Sequence, residues 1–303
     1  LNFILGSGIV GLLAKRMYPE FELIPFKRSR YYSFEIVLAD NFLIYNKKID
    51  DFMNQLGISC EVEFKKQAYS LKGQLIFDEI DELKQSYFSR VYGYQMPSHI
   101  GSLIKNTVTT YPKSVKAVHD RLVEKSLNDF MNTKQKYGEL VSINFENKKL
   151  YFTNREVDFD KIISTIPLDA LCQFCNIKMD LKSRSVCYYD IQTSAVDLEG
   201  ASSCIVIDDY EFFKVVPQNE RFLFWTFDKL EQPYKYFGQF FGYNFDIIES
   251  FRIDKAIPIG EKPNLDVLEG NNVYCVGSNA QWDDFMDVSS CVLRLINLSK
   301  NII

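Results

Sequence analysis

A short apolar run, Asn2 to Leu5, enters Gly6-Ser7-Gly8-Ile9-Val10-Gly11, and Leu12, Leu13, Ala14 and Met17 continue it as a helix-forming segment that stops near Pro19. Three glycines at this spacing, between a strand and a helix, leave few ways for the chain to fold. The first permits a tight turn, the second lets a diphosphate approach the backbone, and the third lets the helix pack closely on the sheet. The helix N-terminus then offers N–H groups and a positive dipole end to an anion. Phe21 to Phe26 reads as a second strand, although Pro25 does not suit a central one. Strand, glycine turn, helix and strand make half of a βαβ unit, the context in which the hexapeptide signals dinucleotide binding. The competing reading is a glycine-rich turn that binds nothing.

One part of that fingerprint is missing. A carboxylate for the ribose hydroxyls is expected about twenty residues on. That position falls at Phe26 or Lys27, followed by Arg28. Lys27 and Arg28 suit a 2′-phosphate, which makes NADP(H) a rival to FAD, or they simply face solvent.

Two further strand ends carry the same character. Lys161 to Thr165 reads as a buried strand running into Ser164, Thr165 and Pro167. Asn272 to Val276 runs into Gly277 and Ser278, then through Asp283, Asp284 and Asp287 to a closing helix from Val288 to about Ser299. Ligands of open α/β sheets bind beyond such strand ends. Between them, residues 50–136 read as mostly helical, with a hairpin around Lys72-Gly73, and Val186 to Phe227 reads as an antiparallel sheet. The expected fold is therefore α/β: a discontinuous Rossmann-like domain (1–49, 137–178 and 255–303) with an inserted helical and antiparallel-sheet substrate domain (50–136 and 179–254).

Composition narrows the function classes. The net charge of −5 does not fit a general nucleic-acid binder. The seven cysteines, including Cys172-x-x-Cys175, lack the second pair of a zinc site, and His99 and His119 are the only histidines, so no metal is expected. No segment reaches the length of an apolar membrane span. The expectation is a soluble, reduced, cytoplasmic protein with a small-molecule or nucleotide-linked substrate.

Together, GSGIVG (Gly6 to Gly11), KIISTIP (Lys161 to Pro167) and NVYCVGSNAQW (Asn272 to Trp282) with Asp287 resemble the flavoprotein superfamily of flavin amine oxidases, protoporphyrinogen oxidase and UDP-galactopyranose mutase. Leu38 to Ile58 is similar to the mutase segment that follows the nucleotide-binding strand. The resemblance implies FAD held by Gly6, Ser7, Gly8, Ile9, Val10, Gly11, Ser164, Thr165, Pro167, Gly277, Ser278, Asp287 and Val288, with Lys27 and Arg28 at the ribose. It implies oxidation of an amine by hydride transfer to the flavin. Phe224, Trp225 and Trp282 are candidates for an aromatic substrate wall, and Lys214 or Arg252 for an anionic substrate group. The chain departs from the family at the second strand, where Glu and a glycine pair are replaced by Phe26-Lys27-Arg28-Ser29-Arg30. Leu38-Ala39-Asp40 replaces the mutase's Gly-Pro-His, which counts against the alternative of a mutase acting on a nucleotide sugar. A further alternative is a degenerate flavoprotein fold that binds without catalysing.

Overall fold

The computed structural model describes residues 1–26, 43–44, 47–55, 57, 63–78, 80–93, 95–96, 107–111, 122, 132–218, 220–242, 244–260, 262–282 and 288–302. They form a mixed α/β structure. Asn2–Leu5 lies between Glu22–Ile24 and Lys161–Ser164 in a parallel four-stranded sheet, which Val273–Cys275 completes beside Lys161–Ser164. Parallel strands are covered on both faces, and the side chains divide accordingly. Ile4, Leu23 and Ile163 face the helices Ile9–Met17, Lys47–Gln55 and Val288–Ile302. Phe3, Leu5, Ile162 and Val273 face the Leu140–Asn144, Lys149–Phe152, Glu156–Asp158 meander and the helix Leu168–Cys175. The Tyr18 hydroxyl, donating to Leu295 O at 2.6 Å, ties the first helix to the last. The second strand stops at Ile24, ahead of Pro25, at the edge of the described sheet.

The larger sheet has nine strands. Its path runs Phe245–Ile259, Lys182–Thr193, Arg221–Thr226, Phe212–Gln218, Ser203–Val206, Glu63–Leu71, Thr107–Tyr111, Leu43–Ile44, with Gln74–Ile76 pairing Glu63–Leu71. The hairpin expected at Lys72-Gly73 forms, with φ of 53° and 72°; two positive values are what a tight type I′ turn requires. The helix Pro233–Phe241 packs on one face through Phe237, and Asp81–Tyr92 on the other through Phe88, Val91 and Tyr92. Arg90 of the latter helix donates to the carbonyls of Val206 at 2.7 Å and Asp208 at 2.5 Å, and to that of Tyr210, holding the turn between two strands. Among the described residues no helix is long and apolar enough to cross a membrane.

One expectation needs correction, and two elements run across expected domain boundaries. The 50–136 stretch is not mostly helical where described, because Glu63–Leu71 and Thr107–Tyr111 are strands of the large sheet. The boundary at 254/255 cuts through the Phe245–Ile259 strand, which carries the sheet past it. The boundary at 49/50 divides the Lys47–Gln55 helix, whose Ile49, Phe52 and Met53 pack on the parallel-sheet core.

Candidate functional site

Leu5, Ser164 and Cys275 stand side by side at the ends of their strands. Just beyond, the backbone is stitched crosswise: Gly6 N donates to Ile24 O at 2.9 Å, Thr165 N to Leu5 O at 2.8 Å, and Val276 N to Ser164 O at 2.9 Å. The Thr165 hydroxyl adds a second bond to Leu5 O at 3.0 Å. The glycine turn, Thr165 and Gly277 are thus held at one rim of the sheet, where an open α/β fold receives ligands.

The three glycines have separate physical reasons. Gly6 has φ of 108°, and a Cβ there would lie 2.4 Å from Thr165 Oγ1. At Gly11 a Cβ would lie 1.9 Å from Gly6 O, so the helix sits directly on the turn. Gly8 differs: nothing of the protein lies within 4 Å of its absent Cβ, and it is exposed at the N-cap of Ile9–Met17. No side chain caps this helix, and no acidic residue lies in its first turn. Uncapped N–H groups behind an open glycine fit a diphosphate, which needs both donors and close backbone approach. Ser7, Ile9 and Val10 are half-buried around it.

The second and third strand ends contribute unevenly. Ser164 is fully buried and its hydroxyl has no hydrogen-bond partner, an unsatisfied group that costs about 1–3 kcal/mol unless something bonds to it. Pro167 is the N-cap of Leu168–Cys175. Gly277 has φ of 128° and precedes the one-turn helix Ser278–Gln281. The buried Gln281 accepts from Lys262 Nζ at 3.1 Å. Val288 opens the last helix, while Lys27, Arg28 and Asp287 lie outside the described residues. Phe26, at the expected ribose position, packs edge-on against Phe174 with ring centroids 6.1 Å apart.

The sulfur groups beneath this rim do not offer nucleophiles. Burial, with nearby negative charge adding, pushes the Cys172 thiol up to about 11 and the Cys175 thiol up to about 12. Burial pushes Cys275 up to about 12 as well, against the opposing Arg294. A thiol so shifted carries almost no thiolate at neutral pH.

The five substrate-wall candidates do not converge. Trp282 is 4% exposed, and its indole N–H donates to Lys182 O at 2.8 Å, so it joins the core to the large sheet. Phe224 is enclosed with Phe212, Phe237 and Phe241 on one face of that sheet. Arg252 is exposed and engaged with Asp254 at 2.7 Å and Ser185 at 3.0 Å. Lys214 and Trp225 do meet, on the face opposite Phe224, with Nζ 4.6 Å from the indole ring. Two rings that the sequence reading missed extend the pair. Tyr188 lies against Trp225 at 4.9 Å, and Phe251 stacks on Tyr188 at 4.8 Å. The strand period over Ser185 to Ile191 sorts Tyr188 from Tyr189 but does not say which face matters, and Phe251 lies on a different strand.

No protein-family model matches the sequence, and no curated protein matches it. Solved structures do match in fold. Reduced UDP-galactopyranose mutase superposes with a TM-score of 0.68 at 12% identity, covering 99% of this chain and 93% of that one. Putrescine oxidase bound to putrescine gives 0.61 at 9% identity, covering 99% and 98%. Cyclohexylamine oxidase from Brevibacterium oxydans IH-35A gives 0.60 at 10% identity, covering 99% of both chains. The resemblance read from three short motifs therefore extends over the whole chain as a likeness of fold to these oxidases and this mutase.

Proposed function

We propose that the chain binds FAD at the glycine rim and acts as an FAD-dependent oxidoreductase, most simply on a small or nucleotide-linked amine. The observation that carries the cofactor reading is the contrast among the glycines. Gly6 and Gly11 are required by the protein's own packing, whereas Gly8 is open, at an uncapped helix terminus, and is explained by a ligand. In this reading the parallel sheet and its coverings hold the cofactor, and the nine-stranded sheet faces the substrate. Bound flavin would supply the two-electron acceptor, taking a hydride from the carbon next to nitrogen.

The chain's own residues would bind and position. Backbone N–H groups at Gly8 to Val10 would meet the diphosphate, and Ser164, at the end of the adjoining strand, has a hydroxyl in need of a partner. The amine preference draws support from the two oxidase structures that share the fold.

The test is an absorbance spectrum of the purified protein, repeated after denaturation. Flavin bands at about one per chain are the expected result, and anaerobic bleaching by an amine would support the reaction. A colourless protein whose melting temperature ignores added FAD overturns the cofactor reading. Stabilisation by NADPH instead would turn the assignment to the basic Lys27-Arg28 pair.

A further inference from the structure

The second strand of the parallel sheet stops short of the place where a dinucleotide site holds its ribose. Glu22–Ile24 pairs with Asn2–Leu5, and Gly6 N closes on Ile24 O at 2.9 Å. Pro25 follows at once, with no N–H to donate to a further pairing. Phe26 then turns its ring toward the protein. It is half-buried, packs on the core that holds Phe3, Leu5 and Ile162, and meets Phe174 edge-on. The residue at the ribose position thus serves the core, and it has no acceptor to offer. Lys27 and Arg28 come next in the chain, and their side chains carry donors only. Carboxylates on the elements that meet here are committed elsewhere. Glu22 accepts from Lys136 Nζ at 2.9 Å. Asp169, in the first turn of Leu168–Cys175, pairs with Lys255 through one oxygen, and its other oxygen is closed off from solvent.

We propose that the glycine rim binds the ADP half of its cofactor without reading the adenosine ribose, so that recognition rests on the diphosphate at Gly8. Where a carboxylate ends the second strand, a ribose hydroxyl donates to it. Such a charge-assisted bond is worth about 10- to 150-fold in affinity. Deleting the hydroxyl here removes no such bond. A 2′-phosphate gains no fixed partner either, because the ladder ends at Ile24, ahead of Phe26 and of the basic residues after it. The diphosphate keeps its donors, since Gly8 is open and the helix Ile9–Met17 has neither a side-chain cap nor an acidic first turn. As the specificity of the FAD site, this rests on the cofactor reading.

The experiment is isothermal titration calorimetry of the full chain, freed of any flavin it carries, with ADP, 2′-deoxy-ADP, 2′-phospho-ADP, AMP and FAD. The first three are expected to bind within about fivefold of one another. AMP, which lacks the diphosphate, should bind at least about tenfold more weakly than ADP. Phe26→Glu supplies the missing acceptor and should make ADP at least about tenfold tighter than 2′-deoxy-ADP. A melting curve checks its folding, and the parent's ranking decides the matter even if the variant does not fold. A parent that favours ADP over 2′-deoxy-ADP, or 2′-phospho-ADP over ADP, by more than about fivefold overturns the proposal. So does AMP that binds like ADP, or a folded Phe26→Glu that stays indifferent to the hydroxyl. FAD binding with a ribose preference removes this proposal alone; a chain that binds neither FAD nor ADP loses the cofactor reading with it.

Discussion

The sharpest test of the glycine rim is a pair of alanine substitutions that the structure expects to fail in opposite ways. In Gly11→Ala the new methyl would sit 1.9 Å from Gly6 O and 2.8 Å from Gly6 C. Both atoms are backbone, so no rotamer change relieves the overlap, and the helix must retreat from the turn by about 1.5 Å to regain ordinary contact. Overpacking of this kind costs about 1–3 kcal/mol, and better helix propensity returns up to about 1 kcal/mol. A net loss of about 1–2 kcal/mol lowers the melting temperature by about 2–3 °C in a chain of this size.

Gly8→Ala meets no protein atom within 4 Å, and its φ of −69° with ψ of 178° suits any residue. Alanine is a poorer N-cap than glycine, which costs about 0.5 kcal/mol, or about 1–2 °C. Its methyl projects instead into the open space where the diphosphate is proposed to sit. A clash of about 1–3 kcal/mol there weakens FAD by about 5- to 150-fold. Thermal melts without and with FAD, together with FAD titrations, read both quantities. If Gly11→Ala melts like the parent, or Gly8→Ala binds FAD like the parent, the assignment of separate roles to these glycines is wrong.

Two further substitutions probe the packing. Tyr18→Phe removes the buried 2.6 Å bond to Leu295 O and should cost about 1–2 kcal/mol, or a drop of about 2–3 °C in Tm; a change within about 1 °C would show that the first and last helices do not depend on it. Burial raises the Asp190 carboxyl above its ordinary value, Arg221 opposing and Glu249 adding to the shift. The folded state therefore holds the proton more tightly than the unfolded one, and stability is lost as pH rises through the window between the two values. Asparagine does not titrate, so the Tm of Asp190→Asn relative to the parent should climb as pH rises above the ordinary carboxylate value, and a flat difference would contradict the shift.

The parallel sheet was legible because its signals are local. Each strand is a short apolar run, and each ends in small residues whose backbone demands are written at fixed spacing, as at Gly6 and Gly277. The Phe245–Ile259 strand was not legible. It is an edge strand, half to fully exposed along most of its length, interrupted by Lys255 at φ of 55° and by register shifts. Charges such as Glu249, Arg252 and Asp254 replace the alternation that marks a strand with one buried face. The candidate substrate wall was half legible. Period 2 separates Phe224 from Trp225, yet the row that joins Trp225 to Tyr188, Phe251 and Lys214 depends on three long-range pairings and an irregularity between Phe212 and Lys214. No local rule supplies a cross-strand register.

The proposed division of labour between the two sheets explains why fold likeness carries the cofactor question further than the substrate question. The glycine rim is made of backbone geometry, and backbone geometry is what a fold preserves. A structure that shares the fold at 12% identity follows the same backbone course with few of the same side chains. The wall is made of side chains, so it is free to change charge while the sheet beneath it stays the same. Proteins named for putrescine, cyclohexylamine and a nucleotide sugar share this architecture, which means the architecture alone does not choose among their substrates. The choice falls to side chains, which the fold leaves free to vary.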